Sequence, residues 1–102
     1  MEQYDVKIFP AAQNDLRDIV DYLNTRSPQA AVKYYDLIIE RIEILRSMPN
    51  CCPLVRDAQL RLRGYRKLIV KSYIVFYVVK DEDKTVQIHR IIYGRRQYEK
   101  LL

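Results

Sequence analysis

Apolar residues recur along the chain at two periods, and each period predicts an element. Tyr4, Val6 and Ile8 alternate with polar neighbours, so residues 3–8 read as a strand. From Pro10 the spacing becomes helical. Ala12, Leu16, Ile19, Val20 and Leu23 share one face of a helix over about 10–25, and Pro10 suits its first turn. Asp15, Asp18 and Asp21 fall on the other side and read as a solvated face. Ser27-Pro28 then supplies an N-cap and a proline at the first helical position. Ala31, Tyr35, Ile38, Ile42, Leu45 and Met48 line one face of a second helix over about 28–48, and Tyr34, Leu37 and Ile44 widen it. So short a connection predicts an antiparallel helical hairpin.

Beyond the hairpin the period returns to two. Pro49-Asn50 and Pro53 end the second helix and open a loop. Arg66, Leu68 and Val70 alternate with Lys67, Ile69 and Lys71, and Tyr73–Val79 is the most β-prone run of the chain. Residues 81–84 make a polar turn, Val86–Tyr93 reads as the next strand, and Gly94 ends it. Residues 95–102 read as a basic tail, with one or two helical turns expected. Strand, helix, helix and three strands predict an α+β fold: an N-terminal strand and a two-helix antiparallel hairpin packed on a mostly antiparallel β-sheet.

Length and composition narrow the class. With 102 residues, 49% of them apolar, residues 1–102 are expected to form a single domain. No apolar run approaches the roughly 18 residues of a membrane span. The opening ten residues lack the basic-then-apolar layout of a secretory signal. A soluble, cytoplasmic domain without a membrane partner is expected. Cys51 and Cys52 are adjacent, which strains a disulfide between them. Two thiols with a single distant histidine, His89, make no tetrahedral metal site. No glycine-rich phosphate loop is present, and no metal or cofactor is expected.

Charge changes the picture more. Residues 1–50 carry six Lys/Arg and eight Asp/Glu, a net −2, whereas residues 51–102 carry twelve and five, a net +7. A strongly basic half predicts an anionic partner, either nucleic acid or an acidic protein segment. Its cations are Arg61, Arg63, Arg66, Lys67, Lys71, Arg90, Arg95 and Arg96, interleaved with Tyr65, Tyr73, Tyr93 and Tyr98. Cations with planar rings suit a single-stranded RNA surface, although tyrosines in a sheet more often serve packing. Arg95-Arg96, just past the last strand, is the sharpest feature, because functional residues concentrate on loops at sheet ends. His89 reads either as an ordinary strand residue or as an acid–base group.

Several phrases together resemble the RelE/ParE superfamily of small toxins from bacterial type II toxin–antitoxin pairs. They are Pro10-Ala11, Asp15-Leu16-Arg17-Asp18-Ile19 with Tyr22, Ser27-Pro28-Gln29-Ala30-Ala31, Met48-Pro49, Gly64-Tyr65-Arg66-Lys67-Leu68, Tyr73-Ile74-Val75-Phe76-Tyr77, and Arg90-Ile91-Ile92-Tyr93-Gly94-Arg95-Arg96. The resemblance implies a helical hairpin on an antiparallel sheet and a cognate antitoxin partner. It implies one of two activities: ParE-like poisoning of DNA gyrase, or RelE-like cleavage of mRNA on the ribosome. The nuclease branch carries an arginine after the aromatic residue of its central strand, where this chain has Ile74 after Tyr73. Arg96 can stand for the arginine after the last strand and Tyr98 for the terminal tyrosine, so these two are the catalytic candidates of a nuclease. His89 lies too early for that branch's near-terminal histidine. The long second helix, Gly64-Tyr65-Arg66 and Ile74-Val75-Phe76-Tyr77 are closer to the ParE branch. Arg66, Lys71, Arg95 and Arg96, with Tyr98, are then the expected target-binding residues, clustered on the sheet face away from the helices.

Overall fold

A computed structural model describes residues 3–94 and 101–102. Arg95, Arg96 and Tyr98 lie outside the described residues, as does most of the expected helical tail. Strand β1 (Asp5–Ile8) leads into α1 (Pro10–Arg26) and α2 (Pro28–Ile44). β1 is shorter than the 3–8 alternation because the Tyr4 amide donates to the Arg46 carbonyl, 2.8 Å away, and not to a strand. Ser27 serves both helices: its amide donates to Leu23 O and closes α1, and its hydroxyl accepts from the Ala30 amide at 3.2 Å to open α2.

α2 ends four residues before the expected Met48. After Ile44 the amides of Leu45, Arg46 and Ser47 each bond three residues back, tightening the last turn ahead of Pro49. The buried face of α2 is also rotated from the expected stripe. Ala31, Ile38, Ile42 and Leu45 are buried, but Tyr35 and Met48 are exposed. Tyr34 takes the sheet side instead, edge-on to Tyr73 with ring centroids 6.0 Å apart.

The expected loop after Pro49 holds a one-turn helix, α3 (Ala58–Leu62), capped by the Asp57 carboxylate accepting from the Leu60 amide at 3.0 Å. Five residues are too few for a period to register. Strands β2 (Arg66–Val70), β3 (Tyr73–Lys80) and β4 (Thr85–Tyr93) follow, in the spatial order β1-β4-β3-β2. β1 runs parallel to β4, from Asp5 opposite Thr85 to Ile8 opposite Ile88; the other pairs are antiparallel. A bulge interrupts β3–β4. Phe76 faces Arg90 and Tyr77 faces Ile88, so His89 is the extra residue.

Both faces of the sheet bury apolar side chains. Leu68, Val70, Tyr73, Val75, Tyr77, Val86, Ile88 and Ile91 pack under the hairpin with Ala12, Leu16, Ile38, Ile42 and Leu45. Phe76, Val78 and Ile92 form a second cluster on the opposite face with Val55, Leu60 and Tyr65; Ile74, Leu101 and Leu102 pack against it. Tyr77 is fully buried, and its hydroxyl donates to Pro49 O at 2.9 Å. No helix among the described residues is long and apolar enough to cross a membrane.

Candidate functional site

β2 and β3 are joined by the tight turn Lys71-Ser72, with Lys71 in the left-handed region at φ 56°. The end of β4 closes onto this turn, where the Gly94 amide donates to Ser72 O at 2.8 Å. The approach is close: a Cβ on residue 94 would lie 3.3 Å from that oxygen, a tight contact that glycine avoids. Lys71 is therefore exposed at the sheet corner from which Arg95 and Arg96 continue the chain. Ile69, Ile74 and Tyr93 complete a cavity of about 260 Å³ beside it.

Arg66 does not join this corner. It sits five residues before Lys71, about 17 Å along a strand. It shares the helix-facing side of β2 with Leu68 and Val70, and its guanidinium donates to Cys52 O at 2.6 Å. That bond anchors the loop before α3, in which Cys51 Sγ and Cys52 Sγ lie 3.4 Å apart. The expected cluster of Arg66 with Lys71 on the open face is corrected accordingly.

One residue read as solvated is structural. β1 stops at Ile8, so β4 beyond Ile88 lacks a strand on that side. Asp15 of α1 replaces the missing partner. Its carboxylate accepts from Ile91 N at 2.9 Å and from Arg90 Nε and a terminal Arg90 nitrogen at 2.7 and 2.8 Å. The carboxylate pushes the guanidinium further into its charged form. Asp18 and Asp21 remain exposed as expected. Nothing in the spacing of Asp15 distinguished it, because the partner lies 75 residues away.

The expected tyrosines divide between packing and surface. Tyr65 and Tyr73 are buried, and burial pushes the Tyr73 phenol above its usual range. Tyr93 is partly exposed and meets Tyr73 edge-on at 5.9 Å. With Tyr22, Asp18 and Ile19 they shape a cavity of about 420 Å³ between α1 and the unpaired stretch of β4. A second, more apolar groove of about 330 Å³ runs beside the hairpin, with Ile8, Leu16, Val20, Tyr35 and Ile39 as its walls and Arg17 and Asp21 at its rim. Sequence periodicity had assigned Tyr35 to the core; the groove explains its exposure.

His89 is half-buried at the bulge. Its ring stacks on Phe9 at 4.6 Å, its Nδ1 lies 3.0 Å from the Tyr65 hydroxyl, and its Nε2 lies 3.2 Å from Gln87 Oε1. Burial, then the charges of Arg63 and Lys80, hold the imidazole below the usual histidine value. Among the described residues no group of three or more His, Cys, Asp or Glu is placed to hold a metal ion.

Comparison with known proteins bears on the whole chain. The sequence profile of the ParE toxin of the type II toxin–antitoxin system parDE matches residues 6–98. Among curated proteins no sequence matches. The fold is similar to that in the chromosomal ParDE toxin–antitoxin system from P. aeruginosa, with 26% identity and a TM-score of 0.70 over 89% of this chain and 96% of that one. It is also similar to a chain of the toxin–antitoxin complex RelBE2 from Mycobacterium tuberculosis, with 20% identity and a TM-score of 0.63 over 89% of this chain and 98% of that one, a likeness of fold.

Proposed function

The chain belongs to the ParE family, the toxins of parDE-type type II toxin–antitoxin systems, and from that premise we propose that it arrests growth by poisoning DNA gyrase and is silenced by a cognate antitoxin. The observation that carries the choice of target is Ile74. Cleaving RNA requires cations around the phosphate as charge develops in the transition state. Ile74 stands where the nuclease branch has its central-strand arginine, and it packs against the apolar cluster of Phe76, Val78 and Ile92. Leu101 and Leu102 add further apolar cover to this face. A greasy strand centre suits protein recognition better than phosphodiester chemistry. Lys71 at the sheet corner is a target-binding residue in this reading; Arg95, Arg96 and Tyr98, which follow Gly94 in sequence and lie outside the described residues, are the others.

The groove beside the hairpin supports the antitoxin half of the proposal. An amphipathic helix can lay apolar side chains between Leu16, Val20, Tyr35 and Ile39, while an acidic extended segment meets the basic half. Complementary charge speeds association, so added salt slows it.

The test combines purified gyrase with the full chain. Supercoiling should fail in its presence, and purified mRNA on translating ribosomes should stay intact. The Arg95→Ala/Arg96→Ala variant should lose toxicity, with its melting curve measured alongside to verify the fold. Normal supercoiling together with codon-phased mRNA cuts would overturn the proposal in favour of ribosome-dependent cleavage, with Arg96 and Tyr98 as catalytic candidates.

A further inference from the structure

The β4 bulge borders a cavity of about 400 Å³ that none of the preceding function uses. Its chemistry comes from three segments. Lys80 ends β3, Gln87 and His89 stand on β4, and Arg63 and Tyr65 follow α3. Arg63 lies over the Tyr65 ring, 5.2 Å from its centroid, and a terminal nitrogen donates to the Tyr65 hydroxyl at 3.5 Å. Stacking and hydrogen bond together fix the guanidinium at the rim. Neither Arg63 nor Lys80 forms an ion pair with a carboxylate among the described residues, in contrast to Arg90 and Arg46.

Burial and the charges of Arg63 and Lys80 favour the neutral form of the histidine between them. Gln87 Oε1 can only accept, so the proton of a neutral ring sits on Nε2 and Nδ1 accepts from the Tyr65 hydroxyl; a charged ring donates to both oxygens. The cavity thus holds two unbalanced positive charges and a neutral imidazole able to become a third. A carboxylate brings one negative charge, whereas a phosphate monoester brings about 1.5 to 2 at neutral pH and several acceptor oxygens. The fork of a guanidinium matches those oxygens, and a lysine adds a point charge.

We infer that this cavity binds an oxyanion of the phosphate class, with Arg63 and Lys80 contacting it and the Tyr65–His89 pair beside it. The site does not depend on which target the toxin poisons. A bound anion offsets the two charges that oppose protonation of His89. Binding therefore draws a proton onto the imidazole.

His89 is the chain's single histidine, so one imidazole resonance reports the site. The full chain is titrated with pyrophosphate at constant ionic strength, balanced with chloride. The His89 resonance should shift saturably, and its titration midpoint should move to higher pH with pyrophosphate bound. Arg63→Gln and Lys80→Gln should each weaken binding about tenfold, the loss of one charge-assisted contact. Arg63→Gln also removes the contacts with Tyr65, so an unchanged melting curve is required of each variant to verify the fold. Competition then identifies the source. An oligodeoxynucleotide without terminal phosphates that displaces pyrophosphate points to a backbone phosphodiester. A nucleoside diphosphate that does so where the oligonucleotide does not points to a free nucleotide. A non-saturable shift, or equal affinity in the Arg63→Gln/Lys80→Gln double variant, would overturn the site.

Discussion

Under the helical hairpin the sheet and helices bury fourteen apolar side chains, and the charged groups at the margin have partners: Arg90 has Asp15, and Arg66 has the Cys52 carbonyl. On the opposite face six are buried, and Arg63 and Lys80 stand near one histidine with no carboxylate ion pair, among the described residues. The difference separates two uses of charge. A cation that closes a gap in the backbone or holds a loop belongs to the fold. A cation left without a counter-charge beside a cavity costs stability that packing must offset, and it is free to meet something from outside.

The largest test of this contrast is in the cores. Ile38→Ala, at a fully buried position of the first cluster, should cost about 4 kcal/mol, whereas Leu60→Ala in the short α3 should cost about 2 kcal/mol. Urea denaturation measures both, and equal losses would remove the distinction between the faces. Next comes Asp15→Ala, which strips the partner from Arg90 and from the Ile91 amide and should cost about 1–3 kcal/mol. Adding Arg90→Ala should cost little more, because the two residues act as a unit.

The third test is pH. His89 has a folded-state value below its unfolded one, so between the two the unfolded chain binds more protons. Stability conferred by the neutral imidazole is complete above about pH 6.5 and is lost as pH falls below it. Melting temperatures of His89→Gln should decline less between pH 7 and 5 than those of the parent. The smallest effect belongs to Lys71→Gly. Glycine accepts the positive φ at this turn, so stability should stay within about 0.5 kcal/mol while toxicity falls. Full toxicity in this variant would remove Lys71 from the target-binding corner.

Long elements were legible in the sequence: α1 and most of α2 follow from their period, and β3 and β4 from β-prone apolar runs. Ser27-Pro28 announced its junction because capping chemistry is local. What escaped was decided across the chain. The rotation of α2 depends on Tyr34 finding Tyr73, and the burial of Asp15 on β1 ending one strand-half too soon for β4. Arg63 and Tyr65 were visible as a basic and aromatic pair. Their meeting with Lys80 and His89 depends on a bulge, and no periodicity encodes the one skipped residue.

The pairing of β1 with β4 also orders events during synthesis. The strand that leaves the ribosome first waits for the one that leaves last, with the rest of the described fold made in between. The hairpin can form early from neighbouring residues, but its sheet-facing side stays uncovered until Thr85–Tyr93 has emerged. A message broken before that point yields a chain that lacks a central strand and the far wall of its own core. Such a product exposes the apolar side of its hairpin, so the fold is complete only once β4 has joined β1.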